Sequence, residues 1–133
     1  MSWLLDVNLV LATRWTTHPD HAAARAWLDS LPLFHTTPIS ELGFVRVSLT
    51  AAYGATWEQI QASLKSLQRR PGYRFLVDDV DGTVAPATNS KETTDAHLVT
   101  LARRHGLKLG TLDEGLIIQG WARGIAVNPL TLA

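Results

Sequence analysis

Short apolar runs alternate along this chain with longer segments in which apolar residues recur at helical spacing. The runs predict strands at residues 3–7, 33–36, 73–77, 107–112 and 125–127. The segments between them predict helices at residues 9–15, 18–31, 37–53, 56–69 and 93–105, and a short helix from residue 114 to about 121. Strands that alternate with helices are typical of a three-layer α/β fold with a mainly parallel sheet.

Residues 93–116 form one complete helix–strand unit with an acid near each end. Asp95 lies in the first turn of the predicted helix, and Gly106 ends that helix because glycine adopts a left-handed C-terminal conformation without strain. Asp113 directly follows the next strand. In a parallel sheet flanked by helices, strand C-termini and helix N-termini lie at one edge. We therefore expect these two carboxylates to meet there.

Two further acids occupy corresponding positions earlier in the chain. Asp6 ends the first strand, and Glu41 falls in the first turn of the helix after the second strand. Thr37 is the expected N-cap of that helix and Pro38 its first residue. Right-handed crossovers bring all strand C-termini to the same edge of the sheet. The sequence therefore predicts four carboxylates at that edge.

Each of these acids alone has a simple explanation, because carboxylates stabilise helix N-termini. That explanation is weaker for the four together, since glutamate is a poor N-cap and Asp6 follows an apolar strand where an unpaired charge is costly to bury. Crowded carboxylates repel one another, and a hard divalent cation such as Mg²⁺ or Mn²⁺ relieves that repulsion. Such ions activate water for phosphodiester hydrolysis. Asn8 and Thr111 are suited to orient the ligands through hydrogen bonds.

Composition is consistent with one domain over residues 1–133 that acts in the cytoplasm. The chain is 46% hydrophobic and 18% charged, and it has no cysteine, which excludes a thiolate metal site. No apolar run approaches a membrane span, and the apolar start has neither a basic region nor a cleavage site, so we expect no signal peptide.

The formal net charge is zero, from 12 basic and 12 acidic residues. If four acids occupy one site, the remaining surface has an excess of positive charge, which would suit a polyanion held over metal ions. Lys65, Arg69, Arg70 and Arg74 lie close together in the sequence. They form either part of a basic rim or a solvated helix end.

Other polar groups are interpreted as structural. His18 and His21 share a helix face without a third metal ligand nearby, and His97 and His105 are expected on a helix surface. The acidic run at residues 78–82 lacks the later ligands of a calcium loop and is interpreted as a solvated turn.

The four acid motifs together resemble those of a known family. Residues 4–8, 39–42, 94–96 and 111–113 read Leu-Leu-Asp-Val-Asn, Ile-Ser-Glu-Leu, Thr-Asp-Ala and Thr-Leu-Asp. They resemble, in order and spacing, the motifs of PIN-domain ribonucleases. The size of the chain and the extent of the match are most similar to VapC toxins of bacterial toxin–antitoxin pairs.

This resemblance implies a PIN-like domain with a five-stranded parallel sheet and helices on both faces, and Mg²⁺-dependent endoribonuclease activity on RNA. It also implies a homodimer and a VapB-like antitoxin that blocks the site. Asp6, Glu41, Asp95 and Asp113 would hold the metal ion, and Thr111 would help to position it or a bound water. Glu114 adds a carboxylate beside Asp113 and is interpreted as a solvent-facing helix start.

Other functions are compatible with parts of this pattern. A PIN nuclease of RNA maturation would use the same chemistry. A non-catalytic PIN interaction module is disfavoured by the presence of all four acids. A phosphorylation-receiver domain needs adjacent acids after the first strand and a late lysine, but Val7 follows Asp6 and no lysine follows Lys108. A dinucleotide-binding Rossmann domain would need a glycine fingerprint, which is missing.

Overall fold

Five parallel strands form the central sheet of the computed structural model, which describes residues 1–132. The sheet order is β3-β2-β1-β4-β5, and every adjacent pair is parallel. The strands are β1 (Trp3–Leu5), β2 (Phe34–Thr36), β3 (Tyr73–Phe75), β4 (Lys108–Gly110) and β5 (Ala126–Val127). The parallel sheet predicted from the alternating pattern is confirmed.

Six α-helices connect these strands within residues 1–132. They are α1 (Val7–Arg14), α2 (His21–Asp29), α3 (Pro38–Ser48), α4 (Trp57–Gln68), α5 (Thr93–Arg104) and α6 (Glu114–Ile117). Short 3₁₀ turns occur at Ser90–Glu92, Gly120–Ala122 and Pro129–Thr131. None of the helices in the described part of the chain is both long and apolar enough to cross a membrane.

The sheet separates two apolar clusters, as the three-layer prediction requires. Trp3 and Leu5 of β1 pack with α1–α4 on one face, whereas Leu4 between them packs with α5 and α6 on the other. This division follows from the two-residue period of a strand, which sends successive side chains to opposite faces. Both faces of β1 are therefore buried, and its C-terminal end is held in the middle of the sheet edge.

The first strand is shorter than predicted because Asp6 begins a helix. The prediction of a strand at residues 3–7 is wrong beyond Leu5, and Val7 is already the first residue of α1. Asp6 has extended backbone angles, and its carboxylate accepts a hydrogen bond from the Val7 N–H. Asp6 therefore links the end of β1 to the start of α1.

Several other predicted bounds also differ, and the third strand, predicted to residue 77, ends at Phe75. The second helix starts at His21, since the His18 ring accepts a hydrogen bond from the Asp20 N–H in a tight turn. The third ends at Ser48, and the chain then turns to Gly54, whose φ is +60°. The strand predicted to residue 112 ends at Gly110, and the helix predicted to about 121 ends at Ile117.

Thr37 occupies the N-cap position of α3 without capping it through its side chain. Its buried hydroxyl instead donates a hydrogen bond to the Leu76 carbonyl, at 2.8 Å. The start of α3 is therefore fixed to the segment that follows β3.

Candidate active site

The C-terminal ends of β1 and β4 bring Asp6 next to Thr111. Asp6 is buried, with Oδ1 accepting a hydrogen bond from the Val7 N–H at 2.7 Å and Oδ2 accepting one from the Thr111 hydroxyl at 2.8 Å. The Asp6 N–H donates to the Gly110 carbonyl at 2.9 Å, which extends the pairing of β1 with β4. The orientation of this carboxylate is thus set by two elements that lie about 100 residues apart in sequence.

Thr111 is the centre of a buried hydrogen-bond network. Besides donating to Asp6, its hydroxyl accepts bonds from the Asn8 side-chain amide at 3.2 Å and from the Asp113 N–H at 3.1 Å. The Asn8 carbonyl oxygen accepts a bond from the Leu112 N–H at 3.1 Å. A hydroxyl has one donor and two acceptor positions, so Thr111 is fully paired. Asn8 and Thr111 therefore hold the segment after β4 against the start of α1.

Asp95 and Asp113 approach the same edge from α5 and α6. Asp113 caps α6, because its carboxylate accepts a hydrogen bond from the Leu116 N–H at 3.1 Å. Asp95 lies in the first turn of α5, and its partly buried carboxylate accepts no hydrogen bond from any of residues 1–132. Of these two acids, only Asp113 has a clear structural role as a cap.

The charges of these three acids influence one another. Burial raises the pKa of Asp6; the hydrogen bonds from Thr111 and Val7 oppose that shift, and the Asp113 charge adds to it. Burial, together with the charges of Asp6, Asp113 and Glu92, raises the pKa of Asp95 to about 6. Asp95 therefore lies in an environment that disfavours its charged form.

The Glu41 carboxylate accepts hydrogen bonds from side chains of β2, β3 and α4. Its Oε2 accepts hydrogen bonds from the Thr36 hydroxyl at 2.5 Å and the Tyr73 hydroxyl at 2.6 Å. Its Oε1 accepts a bond from the Gln68 amide at 3.1 Å.

Tyr73 is a site neighbour that sequence reasoning missed. Burial and its bond to Glu41 raise the pKa of Tyr73 to about 12, so the phenol stays protonated and donates to the carboxylate. The sequence shows it only as an aromatic residue in the third strand. Its role depends on the pairing of β3 with β2, which brings Tyr73 opposite Phe34.

The acid cluster fits a hard divalent cation by the chemistry of its donors. Asp95 and Asp113 line a cavity of about 280 Å³ together with Glu92, Lys91, Gln119 and Trp121. The Asp95 carboxylate has no hydrogen-bond donor among residues 1–132, and Mg²⁺ and Mn²⁺ take oxygen ligands and retain waters. As the side chains stand, no group of three or more His, Asp or Glu within residues 1–132 surrounds a common metal position. Asp6, Asp95 and Asp113 could hold an ion after side-chain adjustment or through bridging waters.

The remaining polar groups singled out in the sequence have local partners. His97 and His105 pair with Asp78 and Asp79, at 2.6 Å and 2.9 Å. The Asp81 carboxylate accepts a hydrogen bond from the Thr83 N–H within its own turn. Separately, the His21 ring contacts the Ala12 carbonyl. The Glu114 carboxylate accepts a bond from Asn128, which links α6 to the segment after β5.

Comparisons with known proteins give several similar chains. No protein-family model matches the sequence. It is 41% identical over 123 residues to Ribonuclease VapC38 of Mycobacterium tuberculosis, covering 85% of this chain and 86% of that protein. It is 36% identical over 127 residues to Ribonuclease VapC39 of the same species, covering 87% and 91%.

A solved structure is similar in fold. The crystal structure of M. tuberculosis VapC20, described as a sarcin-ricin loop cleaving toxin, matches with a TM-score of 0.63 at 13% identity. The match covers 86% of this chain and 92% of that one. At this identity the likeness supports the fold, whereas the two sequence relatives extend the similarity over most of the chain.

Proposed function

Because the chain belongs to the VapC family of PIN-domain ribonucleases, we propose that it is an endoribonuclease and the toxin of a bacterial toxin–antitoxin pair. The observation that carries this proposal is the cluster of Asp6, Asp95 and Asp113 at the C-terminal edge of the sheet. An RNA substrate and a protein inhibitor of this kind imply action in the cytoplasm.

The residues of the cluster would have distinct tasks in phosphodiester hydrolysis. A bound Mg²⁺ or Mn²⁺ would supply an activated water and positive charge beside the leaving oxygen. Asp6, Asp95 and Asp113 would hold the ion, and the Thr111 hydroxyl would keep Asp6 in its orientation. Glu41 would join them by exchanging its present hydrogen bonds.

Cleavage of RNA by the purified protein tests this proposal. We expect Asp6→Asn, Glu41→Gln and Asp95→Asn each to abolish cleavage while the circular dichroism spectrum is retained. Asp20→Asn is the matched control, because Asp20 is exposed and its carboxylate accepts no hydrogen bond from the described residues. Near-normal cleavage by any two of the first three variants would contradict the site.

The reaction products give a second test. Attack by an activated water leaves a 5′-phosphate and a 3′-hydroxyl and does not use the 2′-oxygen. Mass spectrometry of the cleaved RNA should therefore detect these ends in an EDTA-sensitive reaction. A 2′,3′-cyclic phosphate would instead indicate metal-independent chemistry.

The proposed antitoxin would neutralise the same acids. An inserted arginine pairs with carboxylates through two parallel hydrogen bonds and would occupy the place of the metal ion. Replacing the partner's arginines with alanine should restore ribonuclease activity to the complex. An inhibited complex with all of them replaced would favour simple steric cover. An antitoxin gene next to the gene for this protein would favour the toxin function over a role in RNA maturation.

We also propose a homodimer, supported by exposed apolar surface on α3. Leu42 is 67% exposed and lies with Ile39 and Arg46 around a depression of about 250 Å³. Contiguous exposed apolar surface is typical of protein association sites. Sedimentation should detect a dimer that Leu42→Glu dissociates, and a wild-type monomer at all concentrations would contradict this assembly.

A further inference from the structure

Three arginines lie together at the end of α1 opposite to the acid cluster. Arg14 is in the last turn of α1, whereas Asp6 caps its first turn. The helix has eight residues and therefore spans about 12 Å. Arg25 belongs to α2, and Arg70 follows the C-terminal end of α4. Arg14 is therefore separated from Asp6 by the length of α1.

Most of the hydrogen-bond donors in this group are unused. Arg14 makes one side-chain bond, from its Nε to the Ser63 hydroxyl at 3.2 Å. Arg70 pairs with the Asp29 carboxylate. The Arg25 Nε is buried without a partner, and its guanidinium makes no hydrogen bond to any residue of the described chain. Two guanidinium groups thus retain their terminal N–H groups for a ligand.

Helical spacing brings these groups to one place. Arg25 and Asp29 are one turn apart on α2 and share a face. Ser63 and Arg70 are two turns apart along α4 and its C-terminal extension. Arg14 reaches this face from α1 through its bond to Ser63. The group is therefore built from three packed helices instead of one exposed helix end.

The group has an excess of positive charge. Burial, together with the charges of Arg25 and Arg70, lowers the pKa of Arg14 to about 10. Asp29 is the acid that pairs with the group, since its hydrogen bond to Arg70 and the charges of Arg70 and Arg25 lower its pKa. Three cations thus share one exposed carboxylate in a chain whose net charge is zero.

We propose that Arg14, Arg25 and Arg70 form a phosphate-binding site that holds the RNA backbone away from the point of cleavage. The inference rests on the proposed function for the identity of the polymer. A guanidinium binds phosphate oxygens through two parallel hydrogen bonds. The three arginines and Asp29 together have two excess positive charges, which phosphate groups of the RNA backbone would balance. Because Asp29 pairs with Arg70, the terminal N–H groups of Arg14 and Arg25 are available to bind phosphate.

Salt-dependent binding of single-stranded RNA tests the site without requiring cleavage. In an Asp95→Asn background, fluorescence anisotropy gives the slope of log K against log salt. Arg14→Gln and Arg25→Gln should each weaken binding and reduce the slope by about 0.7, the value for one lost phosphate contact on a single strand. Arg123→Gln is the matched control, because it removes one exposed positive charge outside the group.

Two further variants and one further ligand make the outcome decisive. Arg14→Lys and Arg25→Lys keep the charge without the planar fork, so they should restore most of the slope but only part of the affinity. Slopes equal to that of the parent protein in both glutamine variants would overturn the inference. Inorganic phosphate that raises the melting temperature, together with unchanged RNA binding, would overturn the RNA assignment in favour of a small phosphate ligand.

The result is independent of the cleavage assay. A wild-type protein that cleaves RNA while all variants bind alike would remove this site and leave the proposed function intact. Arginine-dependent RNA binding by a protein that cleaves no RNA would support this site and contradict the proposed function.

Discussion

At the scale of single residues, Asp95 and Thr111 differ in how their side chains are hydrogen-bonded within the acid cluster. Asp95 accepts no hydrogen bond from residues 1–132, and the charges of Asp6 and Asp113 act on it. The Thr111 hydroxyl donates a hydrogen bond to Asp6 and accepts bonds from Asn8 and Asp113, so that it fixes the orientation of Asp6. The cluster therefore combines one carboxylate fixed by hydrogen bonds with one that accepts none from the described residues, and a bound cation would relieve the repulsion between them.

Asp95 should make the metal-free protein less stable as the pH rises. Its pKa in the folded protein is about 6, above the unfolded value of 3.8, so between these values the folded state binds more protons. Stability from this group is therefore present below about pH 4 and is lost as the pH rises through about 6. Asp95→Asn should melt at or above the wild-type temperature at pH 7 without metal.

Thermal melts in EDTA between pH 4 and 7 measure this effect. As the pH rises from 4 to 7, the melting temperature of the wild type should fall relative to that of Asp95→Asn. The melting temperature of Asp20→Asn should change with pH as that of the wild type does. An Asp95→Asn protein that is less stable than the wild type at pH 7 would assign Asp95 to helix stabilisation, an effect worth about 0.3–1 kcal/mol.

Thr111→Val should destabilise the fold by about 1–3 kcal/mol, because it leaves buried polar groups without partners. The hydroxyl forms hydrogen bonds with the Asp6 carboxylate, the Asn8 amide and the Asp113 N–H, and the residue is fully buried. Valine has nearly the same shape, so packing changes little. Urea unfolding measures the loss, and Thr111→Ser, which keeps the hydroxyl, should be closer to the wild type. Equal stability of the valine and serine variants would show that the network contributes nothing.

At the scale of elements, the contact between α3 and α1 positions the first acid. Gly43 of α3 lies against Val7, the first residue of α1. A Cβ atom at Gly43 would be 2.3 Å from the Val7 Cγ2 atom, well inside contact distance. The close approach of these helices therefore depends on glycine, and Asp6 precedes Val7 directly.

Gly43→Ala should lower both stability and cleavage. Overpacking costs about 1–3 kcal/mol, which exceeds the gain of about 1 kcal/mol from replacing glycine in a helix. Adding Val7→Ala removes the clashing atoms and should recover much of the cleavage rate. Gly120→Ala is the control, since a Cβ there meets nothing within 4 Å. A Gly43→Ala protein as active and stable as the wild type would show that α1 does not depend on this contact.

At the scale of the whole molecule, divalent ions should stabilise the folded state. The fold gathers negative charges that the unfolded chain separates, and an ion that binds only the folded state relieves the repulsion. With a dissociation constant of about 1 mM, roughly 10 mM Mg²⁺ adds about 1.4 kcal/mol. For a domain of this size that corresponds to about 4–7 °C in melting temperature.

Melting curves at constant ionic strength measure this increment. Ca²⁺ should also stabilise, because it too prefers oxygen ligands. Asp95→Asn should gain much less from Mg²⁺ than the wild type does. A full increment in that variant would place the bound ion elsewhere in the molecule.

Some features of the site followed from sequence because they depend on local pattern and topology. Alternating strands and helices fix a parallel sheet, and parallel connections bring strand ends and helix starts to one edge. The positions of Asp6, Asp95 and Asp113 at that edge therefore needed no knowledge of packing. Several helix and strand bounds differ from the prediction, because turns such as the one at His18 replace the regular pattern near the ends of elements.

The partners of each side chain were decided only by the tertiary structure. Glu41 bonds to Thr36, Gln68 and Tyr73, which depends on the register of β2 with β3 and on the placement of α4. The three arginines meet because α1, α2 and α4 pack together, although Arg14 and Arg70 lie far apart in the chain. The periodicity of a sequence determines which face a residue occupies, whereas contacts between distant segments determine what that residue bonds.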